Sequence, residues 1–380
     1  MIKPLIKYTG GKFKEYEIFK DFIPNKINNY YEPFLGGGGV MFQLINNKKV
    51  IGKCFGNDIS SDLILFYKNV NNKKLLVSLM KTAKCWNEMK QIASFVYDKI
   101  GYEFYGIISK EKSFDELTDE KIMEIINEVY STKKTLNEYD YHNVKIIETL
   151  INELKSKLLR FYKKEKIENL GLNLVCDCIE TAILQGFYFV IRELYNECRI
   201  GNSDEFTIEE RCTYWYFIRE LAFGGMFRFS KDGRFNIPYG GKTYNDKCID
   251  CKVFMMAEKE IQDAFKKIEF FNEDFEKFMN KEYEEDDFIF LDPPYDSTFT
   301  EYDDSEFGRD EHIRLRDILV NLKTKWLLVI RKTEFIEKLY DGFIKSEFKK
   351  TYKYQAKGTY DSKESTHLII TNYKNIYSYD

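Results

Sequence analysis

The stretch FIFLDPPYDSTFTEY, residues 288–302, sets four apolar residues before an acid, two prolines and an aromatic ring. Phe288 to Leu291 has the length and β-rich character of a buried parallel strand, and the prolines cannot extend a ladder because they lack an N–H. The strand is therefore expected to stop at Asp292. In an open α/β sheet, ligands bind in the crevice just beyond the carboxyl ends of the strands. Pro293 and Pro294 fix φ at about −65°, so the carbonyls around them point in set directions. The product is a rigid platform holding the Asp292 carboxylate, one or two aimed carbonyls and the ring of Tyr295. A strand-ending turn with an acid that caps it is the competing reading, and the stretch alone does not choose between them.

Residues 1–68 carry glycine clusters, short apolar runs and the turn GNDIS, the punctuation of alternating strands and helices. From about residue 70 to 205 glycine and proline nearly vanish and the apolar spacing turns helical, as in Ile147, Leu150, Ile151, Leu154 and Leu158, and in Ile183, Phe187, Val190, Ile191 and Leu194. These stripes read as the core-facing sides of helices rather than as a cofactor box. The piece FGGMFRFSKDGRFNIPYGG, 223–241, is rich in glycine and aromatic residues and reads as a hairpin or extended loop. Strand-like runs return at 288–291, at KWLLVIRK (325–332) and at THLIITNY (366–373). The order predicts an α/β fold, a parallel sheet formed by 1–68 and 251–380 and interrupted by one large, mainly helical insertion at 69–250.

With 44% apolar and 17% aromatic residues the chain can bury a large core. No run reaches the roughly 18 apolar residues of a membrane span, and MIKPLIKYTGGK at the N-terminus lacks an apolar signal core, so a cytoplasmic protein without a membrane partner is expected. Of eight cysteines only Cys176 with Cys178 and Cys248 with Cys251 are close pairs. A zinc site from those four is one reading; their irregular spacing and the presence of only three histidines favour reduced, mostly buried thiols and no metal. A net charge of −4 does not announce a nucleic-acid partner, but electrostatic footprints are local. Arg211, Arg219, Arg228, Lys231, Arg234 and Lys242 face few acids after Glu220, whereas 273–306 is strongly acidic.

Nearer the N-terminus, YYEPFLGGGGVMFQL (30–44) runs from a short strand through four glycines into a helix. Glycines there permit a tight turn and let a ligand press against backbone at a helix N-terminus. Asp58 follows Gly36 by 22 residues, at the end of a second strand, where a carboxylate can accept from ribose hydroxyls. A nicotinamide dinucleotide is the first ligand this suggests. The glycine spacing departs from G-x-G-x-x-G, however, and Glu32-Pro33-Phe34 is unlike the usual lead-in. A second glycine pair, in KYTGGK (7–12), reads on its own as a turn.

Taken in order, K-x-x-G-G-K, E-P-F-x-G-G-G, N-D-I and D-P-P-Y resemble the adenine-N6 DNA methyltransferases of the Dam type, and GRFNIPYGG (233–241) and the strand LIITNY (368–373) continue the likeness. The helical insertion has no counterpart in it. The resemblance implies a Rossmann-like sheet binding S-adenosylmethionine, and an enzyme that methylates a flipped adenine at specific sites in double-stranded DNA, as in restriction-modification. Tyr8, Gly10, Gly11 and Lys12, with Lys7, would close over cofactor and base. Phe34, Gly36, Gly37 and Gly38 would line the cofactor, Glu32 would stand at its methionine end, Asp58 and Ile59 at its ribose, and Asp274 and Phe275 at its adenine. Catalysis would fall to Asp292, Pro293, Pro294 and Tyr295, since an acceptor pair at Asp292 and the Pro293 carbonyl would draw the amine of the base toward a nucleophilic geometry, with the base stacked on Tyr295 outside the duplex.

DNA contacts implied by the same likeness are Phe223, Arg228, Lys231, Arg234, Asn236, Pro238 and Lys242. Phe223 would wedge into the duplex and Arg228 would read guanine or hold a phosphate. Gly224 stands where the family carries asparagine, which puts the family's usual target in doubt. Ile330-Arg331-Lys332 likewise departs from a Ser-Asn-type segment bordering the target pocket. Alternatives that remain are an RNA adenine methyltransferase and a DNA-binding subunit that has lost catalysis or depends on a partner such as a restriction endonuclease. Monomer and dimer are both compatible with the sequence.

Overall fold

The structure, a computed structural model, describes residues 1–8, 10–132, 143–164, 170–201, 205–295, 307–351 and 364–374. The tail of the opening stretch, 296–302, lies outside the described residues. The chain forms two compact units, one from Met1–Asn71 with Glu258–Asp380, the other from Asn72–Ala257.

The first unit is built on a seven-stranded sheet: β1 (Tyr30–Glu32), β2 (Cys54–Asn57), β3 (Ile268–Phe271), β4 (Phe288–Leu291), β5 (Lys325–Arg331), β6 (Ile344–Thr351) and β7 (Glu364–Thr371). Their order is β3-β2-β1-β4-β5-β7-β6. The first five are parallel, with Tyr31 opposite Ile289 and Ile289 opposite Trp326. The closing pair departs from the all-parallel expectation, because β7 runs antiparallel to both β5 and β6. All four residues of β4 are buried, as are the five between Lys325 and Arg331 of β5. That is the uniform apolarity of strands covered on both faces. Rings continue the packing, Phe290 on Phe19 at 5.6 Å and Tyr31 on Phe55 at 4.8 Å. β4 ends at Leu291, one residue before Asp292, as the missing proline donors require. The strand order reverses between β1 and β4, so their carboxyl ends, carrying Glu32 and Asp292, open the crevice expected at such a switch point.

The second unit is helical. A helix at Lys73–Ile108, roughly 54 Å long at 1.5 Å per residue, packs with those at Leu172–Ile200, Asn143–Tyr162 and Ile208–Leu221. Asn72 caps its start by accepting from Lys74 N, and Thr207 with Glu210 forms a capping box for Ile208–Leu221. In the first stripe Ile146 is buried and Ile147 only half so, while Leu150, Ile151, Leu154 and Leu158 are buried. Leu172–Ile200 is long and apolar enough to cross a membrane by length and composition, which a search for unbroken apolar runs overlooks. Of its most apolar window 67% is buried inside the protein, as in the central helix of a bundle.

One expectation about cysteine is corrected here. Cys248 and Cys251, both on the surface, form a disulfide rather than remaining reduced thiols. Cys54, Cys85, Cys178, Cys198 and Cys212 are buried thiols outside any disulfide, and Cys176 is a half-buried one. The C-x-x-C spacing brings the pair together locally, which counting cysteines does not reveal.

Candidate active site

The crevice between β1 and β4 opens into a cavity of about 950 Å³ within the first unit. Every residue anticipated for catalysis or cofactor contact lines it except Gly38 and Lys7. That glycine takes φ +64° at the start of the helix Gly39–Asn46 and faces Phe42 and Leu35 instead. Arg331 and Lys332 are also absent from the lining. Lys332 pairs with Glu347 and Glu337.

On one wall, Gly36 adopts φ +48°, and a Cβ placed there would come within 2.9 Å of the Tyr8 ring. Glycine is required on both counts, left-handed backbone and a ring pressed on the turn. Asp58 fastens this turn to the end of β2: its carboxylate accepts from Gly36 N and Ser60 N, each at 2.9 Å. Asn57 ties two more loops together by donating to the carbonyls of Pro33 and Glu273 and accepting from Glu273 N at 3.0 Å. The loops after β1, β2 and β3 are thereby locked to one another.

A second wall is aromatic. Phe34, Phe275 and Phe307 meet pairwise with centroids 5.4–5.6 Å apart. Asp274 caps the short helix after β3, accepting from Glu276 N at 2.9 Å, and its other oxygen takes Arg314 at 2.7 Å. Arg314 also lies 4.4 Å over the Phe275 ring and pairs with Glu311 at 2.5 Å. Sequence reasoning missed Asn57, Phe307, Glu311 and Arg314. Only a helical i, i+3 spacing of Glu311 and Arg314 hints at the last pair.

The third wall carries the charge. Lys12, whose side chain is 1% exposed, donates to Asp292 Oδ1 at 2.5 Å, to the Tyr295 hydroxyl at 2.9 Å and to the Gly10 carbonyl at 3.1 Å. Loss of hydration raises the Asp292 carboxyl above its ordinary value, with Lys12 pulling the other way. Pro293 is buried and Pro294 exposed, so the platform shows one proline to the core and one to solvent. Glu32 is 2% exposed and is hydrogen-bonded by Tyr30 OH at 3.0 Å. Burial first, then the charges of Asp292 and Asp58, push its carboxyl well up. Glu32, Asp58 and Asp292 thus line one concave space around the buried ammonium of Lys12, with Glu273, Asp274 and Glu311 also on its lining. Such a site favours a ligand that brings positive charge, because burying uncompensated carboxylates is costly.

The loop 223–241 belongs to the second unit. It closes through single antiparallel bridges, Ala222 to Tyr239 and Phe229 to Phe235, rather than through a regular hairpin ladder. Its shape is held by one face of the helix Leu172–Ile200. Tyr188 OH donates to the Ile237 carbonyl at 2.7 Å, Asn196 exchanges two bonds with the backbone of Phe235, and Arg199 Nε donates to the Gly233 carbonyl at 3.2 Å. Arg199 and Arg219 also stack on Phe229 and Phe227 at 3.7 and 4.6 Å. Phe223 and Met226 protrude, 41% and 40% exposed, on either side of Gly224 and Gly225, which both have positive φ.

Of the anticipated DNA contacts, Phe223, Arg228, Lys231, Asn236, Pro238 and Lys242 are exposed and Arg234 is half-buried. Arg234 and Lys242 are engaged by Glu193 and Asp177. Those acids come from a helix tens of residues upstream, so a local charge count overstated the basic surface.

A family model described as D12 class N6 adenine-specific DNA methyltransferase matches residues 8–171 and 142–355. The Type II methyltransferase M.CviBI of Paramecium bursaria Chlorella virus NC1A is 26% identical over 98% of this chain and 100% of its own length. The Type II methyltransferase M1.LlaDCHI of Lactococcus lactis subsp. cremoris is 24% identical over 98% of this chain and 96% of its own. The Retron Ec67 DNA adenine methylase of Escherichia coli is 26% identical over 51% of this chain and 65% of its own.

Proposed function

The chain belongs to the D12 class N6 adenine-specific DNA methyltransferases, enzymes that methylate adenine in DNA, and from that premise we propose that the cavity beside β1 and β4 binds S-adenosylmethionine and a flipped adenine of a specific duplex site. The donor set fits this cofactor: an aromatic wall suits its adenine, Asp58 its ribose, and buried Glu32 its cationic methionine end. When bound, S-adenosylmethionine supplies an electrophilic methyl group.

The protein's part is to present the amine. Lys12 occupies Asp292 Oδ1, so the second oxygen, or the first after Lys12 shifts, accepts one N6 hydrogen of adenine. The carbonyl of Pro293 accepts the other, and the ring of Tyr295 stacks on the base. With its pKa raised, the Asp292 carboxylate is suited to take the proton that N6 releases on methylation. The observation that carries the reading is the placement of Asp292 and Tyr295 on the same cavity as Gly36, Asp58 and Phe275. On the second unit, Phe223 and Met226 would enter the stack while Arg228 and Asn236 meet bases or phosphates. A restriction endonuclease sharing the target site is the protein partner that fits this role.

The test is transfer of labelled methyl from S-adenosylmethionine to unmethylated duplex DNA, with modified positions read by sequencing. Methylated adenine in a single motif is expected, falling by about 10³-fold or more in Asp292→Ala while cofactor binding persists. Unchanged transfer in that variant would overturn the assignment of Asp292.

A further inference from the structure

His367 belongs to none of the motifs that identify the site. Along β7 its neighbours Leu368 and Ile370 join the core cluster that holds Trp326 and Leu328. Strand alternation places His367 on the opposite face. There it is fully buried, stacked on Phe348 at 5.4 Å and edge-on to Tyr295 at 5.5 Å. Its Nε2 lies 3.3 Å from the Tyr295 hydroxyl.

The roles across this contact follow from the imidazole tautomer: with the ring hydrogen on Nδ1, Nε2 is the acceptor. The Lys12 ammonium has only hydrogens to give, and it gives one to the Tyr295 oxygen at 2.9 Å. The phenol keeps its own hydrogen, with His367 Nε2 in range to accept it. Burial, then the nearby charges of Lys12 and Lys350, push the imidazole down to about 4, with a backbone hydrogen bond at Ser365 and then the Glu15 charge opposing. It is neutral at physiological pH and so retains an acceptor nitrogen. Glu15 and Lys350 are themselves paired at 2.6 Å.

We propose that His367 is a positioning residue for methyl transfer: by accepting the Tyr295 O–H it fixes the phenol ring and, through the shared Lys12 ammonium, the Asp292 carboxylate, so that ring and acceptor meet the base in a preset arrangement. The proposal rests on the reading above in which Tyr295 stacks on the flipped adenine. Nothing in this role touches cofactor or DNA directly. Loss of the histidine acceptor therefore lowers the transfer step and spares binding.

The experiment is a double-mutant cycle in single-turnover methylation of duplex DNA. His367→Met fills the space without an imidazole acceptor, His367→Gln restores an amide oxygen, and Tyr295→Phe removes the hydroxyl while keeping the ring. Expected are a transfer rate lowered about tenfold in His367→Met, substantial recovery in His367→Gln, dissociation constants for cofactor and DNA unchanged, and no further loss when His367→Met is added to Tyr295→Phe. The same further loss in the Tyr295→Phe background as in the unsubstituted enzyme overturns the proposal, as does an effect confined to binding. If His367→Met loses its thermal transition, the cycle is run with His367→Gln and His367→Phe, and the same criteria apply. Tyr295→Ala separates the two readings. Normal transfer in that variant sinks base stacking and the histidine's role with it, whereas a crippled variant beside an additive cycle sinks the histidine's role alone.

Discussion

The cavity beside β1 and β4 and the loop 223–241 use the same materials, positive-φ glycines, aromatic rings and cations, with the signs of charge arranged in opposite ways. In the cavity a single lysine is buried among Glu32, Asp58 and Asp292. On the loop, Arg228 and Lys231 stand in solvent, while Arg234 and Lys242 are held by acids of the supporting helix. The first arrangement attracts a cation into a confined space; the second offers cations to a polyanion and trims their number. On the proposed function, recognition of a charged small molecule and recognition of a duplex would be kept apart by burial as much as by sequence.

Substituting a glycine of the cavity would sharpen the contrast most. Gly36→Val forces a branched side chain into left-handed backbone and into the Tyr8 ring. A loss of cofactor affinity of about 10–100-fold is expected, with DNA affinity measured without cofactor unchanged. Calorimetric titration of S-adenosylmethionine and fluorescence anisotropy of labelled duplex check both halves, and an equal loss in each would break the separation.

A smaller effect is expected on the loop. Arg228→Ala should weaken specific DNA binding by about 1–3 kcal/mol if it reads a base. Arg234→Ala should cost less, because its guanidinium is already engaged by Glu193 in a half-exposed pair, and such pairs contribute about 0–1 kcal/mol. Binding isotherms at several salt concentrations compare them. The slope of affinity against salt should fall more for Arg228→Ala than for Arg234→Ala, and the reverse order would mean that the Glu193 pair opens on DNA.

The smallest effect concerns stability. Glu32 titrates above its ordinary value of 4.5 in the folded protein, so the fold keeps a proton that the unfolded chain releases. Its contribution to stability is therefore greatest at low pH and declines as pH rises above about 4.5. Glu32→Gln should remove that decline, raising the melting temperature at neutral pH by a few degrees at most while weakening the cofactor. Chemical unfolding from pH 5 to 8 reads the slope, and an unchanged slope would show that Glu32 is ionised in the fold.

How far the sequence revealed these regions follows from where their contacts lie along the chain. Glu32, Gly36, Asp58 and Asp292 sit at strand ends, where a run of apolar residues followed by glycine, acid or proline marks both the strand and its edge. They could be named from local pattern. Arg314 reaches Asp274 across 40 residues, and His367 reaches Tyr295 across 72, with no local mark on either. The clamp of Tyr188 and Asn196 on the loop was equally hidden, since a tyrosine and an asparagine within an apolar helix resemble ordinary interruptions of its stripe. The antiparallel β6 escaped because IKSEFKKT alternates apolar and polar residues weakly, as an edge strand can. The disulfide of Cys248 and Cys251 was visible as spacing but not as bonding.

The insertion of one unit into the other also sets a timetable for assembly. β2 and its parallel neighbour β3 lie roughly 210 residues apart in the chain, a closure whose entropic cost grows only logarithmically with length but which cannot begin until β3 exists. Growing from its N-terminus, the polypeptide makes β1 and β2 first and leaves them without β4 and β3 on either side. The whole of 72–257 then emerges, a compact unit able to fold in the interval. Only afterwards does β4 arrive, and with it the bond between Lys12 and Asp292, whose partners are 280 positions apart. On the proposed role of Asp292, chemical competence is therefore among the last properties the nascent molecule acquires, and a ribosome that stops before residue 288 releases the helical unit without that carboxylate.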